Sequence, residues 1–138
     1  MRIRISTLAP LAAFAAAACS TTPVHDEARS PEAQQELAQA LQGRAAGQPV
    51  SCVPNMRGNT RMEVVDDFTI LFREGSTVYV QNPRGGCPGI DGHGYTLVSR
   101  KAGSNQICSG DIQQLVDLQT GTHGGVCVFG PFVPYRKV

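Results

Sequence analysis

The chain has 138 residues, with twelve Lys and Arg against eleven Asp and Glu. A near-neutral, unclustered charge lacks both the basic footprint of a nucleic-acid-binding domain and the polybasic stretch that anionic lipid heads attract. With no Trp, few aromatics and five cysteines, the composition points to a small core that needs covalent support.

In chain order, Arg2 and Arg4 precede an apolar run that ends in Ala16-Ala17-Ala18-Cys19. A charged start, a short apolar stretch and small residues before a cleavage point make residues 1–18 a bacterial export signal. The run contains Pro10 and is too short to cross ~30 Å of hydrocarbon. A cysteine directly after the small residues suggests a lipoprotein signal, in which Cys19 becomes the first mature residue and carries lipid. Ala16-x-Ala18 also fits an ordinary secretory site, which would leave Cys19 a free thiol, and lipoprotein signals usually carry Leu or another branched residue where Ala16 stands. The cysteine parity favours lipid, because removing Cys19 from five leaves four that can pair completely. Ser20 follows in place of the Asp that commonly signals inner-membrane retention, so the expected destination is the outer membrane, facing the periplasm.

Residues 19–50 read as a tether containing a short helix. Ser20–Arg29 is polar and unpatterned. Ser30-Pro31-Glu32 then has the marks of a helix start: a hydroxyl at the N-cap, Pro at the first helical position and an acid in the first turn. Ala33, Leu37, Ala40 and Leu41 share one face, and Gly43 supplies a stop, which predicts a helix over about 31–42. Two leucines make a thin stripe, so a spacer helix is expected rather than a docked one.

From residue 51 to 138 the chain changes to short apolar runs punctuated by Gly, Pro, Asn and Asp, the spacing of a β domain. Strands are expected at 61–65, 68–73, 76–80, 95–99, 106–108 and 126–129, with Phe68, Ile70 and Phe72 facing inward. Residues 112–118 fit either a helix or a strand, and the neighbouring segments favour strand. Residues 82–94 are dense in glycine and form a loop. The expected fold is mainly β: a small disulfide-stapled antiparallel β-barrel or sandwich, preceded by a short helix and a flexible tether. Cys52, Cys87, Cys108 and Cys127 lie in separate elements, which suits two long-range bridges. The nested pairing Cys52–Cys127 with Cys87–Cys108 is expected, because it ties the first strand of the domain to the last. A zinc site is disfavoured, since no C-x₂₋₄-C pair exists and the compartment is oxidising.

Cys52, Val64-Val65-Asp66-Asp67-x-Thr69-Ile70-x-Phe72, Tyr79, Cys87-Pro88-Gly89, Cys108-x-Gly110-Asp111 and Cys127-x-x-Gly130-x-Phe132-x-Pro134 occur in that order. This set resembles an uncharacterised family of short exported proteins and lipoproteins of proteobacteria, over about residues 51–135. The resemblance implies export, one small domain and structural cysteines, and carries over no activity. The glycine-rich Gly89-x-x-Gly92-x-Gly94 segment departs from the family pattern.

Asp91, His93 and His123 are the residues that could suggest a metal or acid–base site. Both histidines sit in glycine-flanked strings that read as tight turns, so no metal, cofactor or catalytic residue is assigned. Asp66-Asp67 and Asp111 read as turn or backbone caps, since adjacent strand residues point to opposite faces. No nucleophile motif is present. The expected role is a non-enzymatic envelope lipoprotein, membrane-held through Cys19, that binds an envelope protein or cell-wall partner and no nucleic acid. Two alternatives stand beside it. One is a small enzyme or metal-binding protein using the Asp/His loops. The other is an inhibitor of a lysozyme-like or other hydrolytic enzyme, since Gly75–Tyr79 is loosely similar to the Ser-Gly-x-x-Tyr loop of lysozyme inhibitors, with one residue too many.

Overall fold

A computed structural model describes residues 29–53, 60–92, 94–100 and 105–138. The expected export segment, residues 1–18, with Cys19, and His93, lie outside the described residues.

The helix α1 (Pro31–Leu41) begins where Ser30 Oγ accepts the Ala33 N–H at 3.2 Å, and it ends at Gln42 before Gly43 at φ 69°. Among the described residues ten strands follow: β1 (Arg44–Ala46), β2 (Cys52–Val53), β3 (Arg61–Asp66), β4 (Thr69–Glu74), β5 (Thr77–Gln81), β6 (Tyr95–Ser99), β7 (Ile107–Cys108), β8 (Ile112–Asp117), β9 (His123–Val128) and β10 (Phe132–Lys137). They build a five-stranded sheet in the order β1-β10-β5-β4-β3, a three-stranded sheet β6-β8-β9 and a two-stranded ribbon β2-β7, all antiparallel. The sheets do not close, so the fold is a sandwich rather than a barrel. Residues 112–117 are strand, as the neighbouring segments suggested.

The five-stranded sheet is buried on both faces. One face meets the smaller sheet and the ribbon through Ile70, Phe72, Tyr79 and Phe132, joined by Leu115 and Phe129. Phe72, Phe129 and Phe132 pack mutually edge-on with centroids 5.8 Å apart, the arrangement that ring quadrupoles prefer. The opposite face presents Val65, Leu71, Val78 and Val80 to α1, which covers them with buried Ala33 and half-buried Leu37, Ala40 and Leu41. Ile70 and Phe72 face the sandwich core as their parity predicts. Phe68 does not, because it lies in the turn before β4.

The spacer reading of the helix is therefore corrected. A thin apolar stripe suffices here because the sheet supplies most of the apolar surface, and that surface needs a cover. Arg29 locks the helix start to the sheet. Its Nε lies 2.8 Å from Asp66 Oδ2 and its Nη2 donates to Thr69 Oγ1 at 2.5 Å. Part of the expected tether is also sheet, since β1 pairs with β10.

Candidate functional site

All four cysteines of the domain are bridged, but in the order Cys52–Cys108 and Cys87–Cys127. This overturns the nested pairing of Cys52–Cys127 with Cys87–Cys108. The ribbon sets Cys52 directly opposite Cys108 in register, so the ladder selects that partner. Cys127, on β9, faces the loop that carries Cys87, and both are buried. The tie between the start and end of the domain is made without sulfur. Val50 and Phe132 exchange backbone hydrogen bonds of 2.8 and 2.9 Å.

The acidic residues cap backbone, as their turn contexts suggested. Asp66 Oδ1 accepts the Phe68 N–H at 2.8 Å, Asp67 Oδ1 accepts that of Asp91 at 3.0 Å, and Asp111 Oδ2 accepts that of Cys108 at 2.8 Å. One such cap escaped the sequence reading. Asp117 Oδ1 accepts the Thr120 N–H at 3.0 Å and the Gln119 N–H at 2.7 Å. These two bonds, Thr120 first, hold its carboxyl below the usual carboxylate range. The Asp-x-x-Thr-Gly string was the available signal, an Asx turn.

Asp91 and His123 are not brought into one site. Asp91 shares a depression with Asp66 and Asp67 near the start of α1. His123 is exposed at the head of β9, paired across the ladder with Val116. Among the described residues, no group of three His, Cys, Asp or Glu side chains could hold a metal ion. The Gly75–Tyr79 string is not a presented loop either. It is a hairpin turn running into β5, and Tyr79 is buried in the sandwich core. Burial, and then the nearby Glu74, raise the Tyr79 phenol above its ordinary value.

Two features have the character of binding surfaces. The first is the outward face of β6-β8-β9, where Val98, Gln114 and Val126 stand in one cross-strand row and Ile112 lies on the same face. Val98, Val126 and Ile112 are 44%, 61% and 55% exposed.

The second is a cleft of 250 Å³ between the sheets. Phe72, Gln113 and Phe129 form its buried floor, and half-buried Met62, Thr96, Leu97, Ser99 and Ile107 line it nearer the surface. Gln113 is 1% exposed, and its Nε2 has no hydrogen-bond partner among the described residues. Leaving such a donor unmet costs about 1–3 kcal/mol. Sequence reasoning passed over Gln113, because a glutamine inside a strand carries no mark of which way it faces. A more open hollow of 400 Å³ runs along α1, but its charged side chain, Arg29, is already paired with Asp66.

A comparison with known proteins finds no matching family model, no matching curated protein and no matching solved structure. The family resemblance therefore rests on its motifs alone. Among the described residues, no helix is long and apolar enough to cross a membrane.

Proposed function

We propose that this chain is a non-enzymatic cell-envelope lipoprotein, a small β-sandwich binding module held to the outer membrane by lipid on Cys19 and facing the periplasm. The observation that carries the reading is the distribution of the five cysteines. Four are joined in two bridges inside the sandwich, which is the usage of an oxidising compartment. The fifth is Cys19, directly after the Arg2/Arg4, apolar and Ala16-Ala17-Ala18 pattern of an export signal. The exposed Val98, Ile112 and Val126 face supports an interaction role, and an envelope protein or cell-wall component is the partner class that this location offers.

Mass spectrometry of the mature N-terminus, on protein taken from the envelope, tests the anchor. The expected result is a chain that begins at an acylated Cys19, with Cys19→Ala moving the protein out of the membrane fraction. A chain that retains Met1, or that begins elsewhere unmodified, would overturn it. For the binding role, crosslinking in intact cells from Val98→Cys or Val126→Cys labelled with a photoreactive group should capture one dominant envelope partner. Labels placed on Glu32, across the domain, should not.

A further inference from the structure

The sheets of this sandwich end in edge strands, and most of these edges are guarded. β3 carries Arg61, Glu63 and Asp66 and a register shift between Val64 and Asp66. β1, β2 and β7 have two or three residues each. β9 contains Gly124 and Gly125, a register shift, and a bridge from Arg84 to Val128. Charge, brevity and bulges are the usual protections of a sheet edge against pairing with another chain. β6 has none of them. It reads Tyr-Thr-Leu-Val-Ser, uncharged and without Gly or Pro, and all five residues pair with β8 in unbroken register. Just before the strand, Leu118 N donates to Gly94 O at 2.7 Å. By the alternation of an antiparallel ladder, Thr96 and Val98 then bond to β8, while Tyr95, Leu97 and Ser99 turn their N–H and C=O groups to the open side. Among the described residues, no strand pairs with β6 on that side.

We propose that the open edge of β6 is a strand-addition site for an extended, uncharged segment of another protein, with one apolar side chain entering the cleft beside Leu97. The 250 Å³ cleft follows this edge, since Thr96, Leu97 and Ser99 line it together with Met62 of β3 and Ile107 of β7, all half-buried. In an added strand, the residue opposite Leu97 points to the same side of the sheet as Leu97 does, towards Met62 and Ile107. An apolar cavity of about 150 Å³ holds benzene, so this cleft takes one Leu, Ile or Phe side chain. Its described lining residues are uncharged, and a charged side chain would lose its hydration there without gaining a counter-charge. Backbone bonds to the edge supply affinity, and the cleft supplies specificity. A second copy of the chain fits less well. Five residues of one strand edge fall short of the roughly 20–30 residues a side of a stable interface, whereas a peptide needs only the edge. This site rests on the reading of the domain as a binding module, and is independent of lipid on Cys19.

The test is an NMR titration of the full mature chain with blocked peptides of about seven residues, made of Ser and Thr except for Leu, Phe or Asp at the centre. In the free protein, the Thr96 and Val98 amides should resist hydrogen exchange while those of Leu97 and Ser99 exchange freely. The Leu and Phe peptides should bind saturably, shift the Met62 and Ile107 methyl signals, and slow exchange at Leu97 and Ser99. The Asp peptide should bind roughly tenfold more weakly. N-methylation of the central residue removes the N–H that meets Leu97 O and should weaken the Leu peptide roughly tenfold. N-methylation of the next residue, whose N–H faces away, should not. Absence of saturable binding by both the Leu and the Phe peptide would overturn the site. So would an equal loss from methylation at the two positions, and neither result needs a variant to fold. A partner captured through labelled Val98 or Val126 alongside either result would leave the binding module standing and remove only this edge.

Discussion

Gln81 holds Gly130 by both its backbone groups, donating to the carbonyl and accepting from the N–H at 2.8 Å each. The side chain thus acts as one more rung between β5 and the segment that enters β10. Gln81→Leu leaves two buried backbone groups unpaired and should cost about 2–4 kcal/mol, read as a lower urea midpoint. Gly130→Ala should also destabilise, since a Cβ there would stand 2.7 Å from the Asn82 carbonyl oxygen.

The same chemical change at Gln113 should have the opposite sign. Gln113→Leu removes a donor that has no partner among the described residues and keeps a side chain of similar volume, so the fold should gain about 1 kcal/mol. A urea midpoint that falls by as much as in Gln81→Leu would show that Gln113 is held by bonds of its own.

A non-reducing digest should yield Cys52–Cys108 and Cys87–Cys127 peptides, and a Cys52–Cys127 peptide would contradict the fold. Cys87 and Cys127 are buried, whereas Cys52 and Cys108 are half-buried in a two-stranded ribbon. Mild reductant should therefore open Cys52–Cys108 first. Loops of 40 and 56 residues correspond to about 4 kcal/mol per bridge in the chain-entropy model. Replacing both partners of either bridge with Ser should remove a substantial part of that.

Leu71 points from the central sheet to α1 and is fully buried. Leu71→Ala should cost about 2–4 kcal/mol and lower the hydrogen-exchange protection of α1 amides. A helix that kept its protection in this variant would not depend on the sheet.

Asp117 has a carboxyl pKa lowered in the fold by the Thr120 and Gln119 N–H bonds. Its stabilising contribution is present above the unfolded carboxylate value, near 3.8, and is lost as pH falls through the lower folded value. An NMR titration should place the Asp117 midpoint below that of Asp in an unfolded peptide. Asp117→Asn should be less stable at pH 7, with the difference shrinking in strong acid.

What the sequence determined here was local. Strand parity at Ile70 and Phe72, the helix start at Ser30-Pro31-Glu32 and the carboxylate caps at Asp66, Asp67 and Asp111 each depend on residues a few positions apart. Such signals survive without knowledge of the neighbours. That all four domain cysteines pair was also legible from their number and spacing.

Tertiary structure decided which elements became neighbours. Cys52 meets Cys108 because β2 pairs with β7, a register that no spacing along the chain encodes. The helix docks because Leu71, Val78 and Val80 leave the second face of the central sheet apolar, and its own two leucines conveyed little of that. Gln81 and Gln113 show the same limit most clearly. Both are buried strand glutamines, but the backbone of Gly130 approaches only the first, so one became a rung and the other a buried amide whose Nε2 has no partner among the described residues. Period-two alternation tells which residues share a face, while packing between distant segments decides what that face meets.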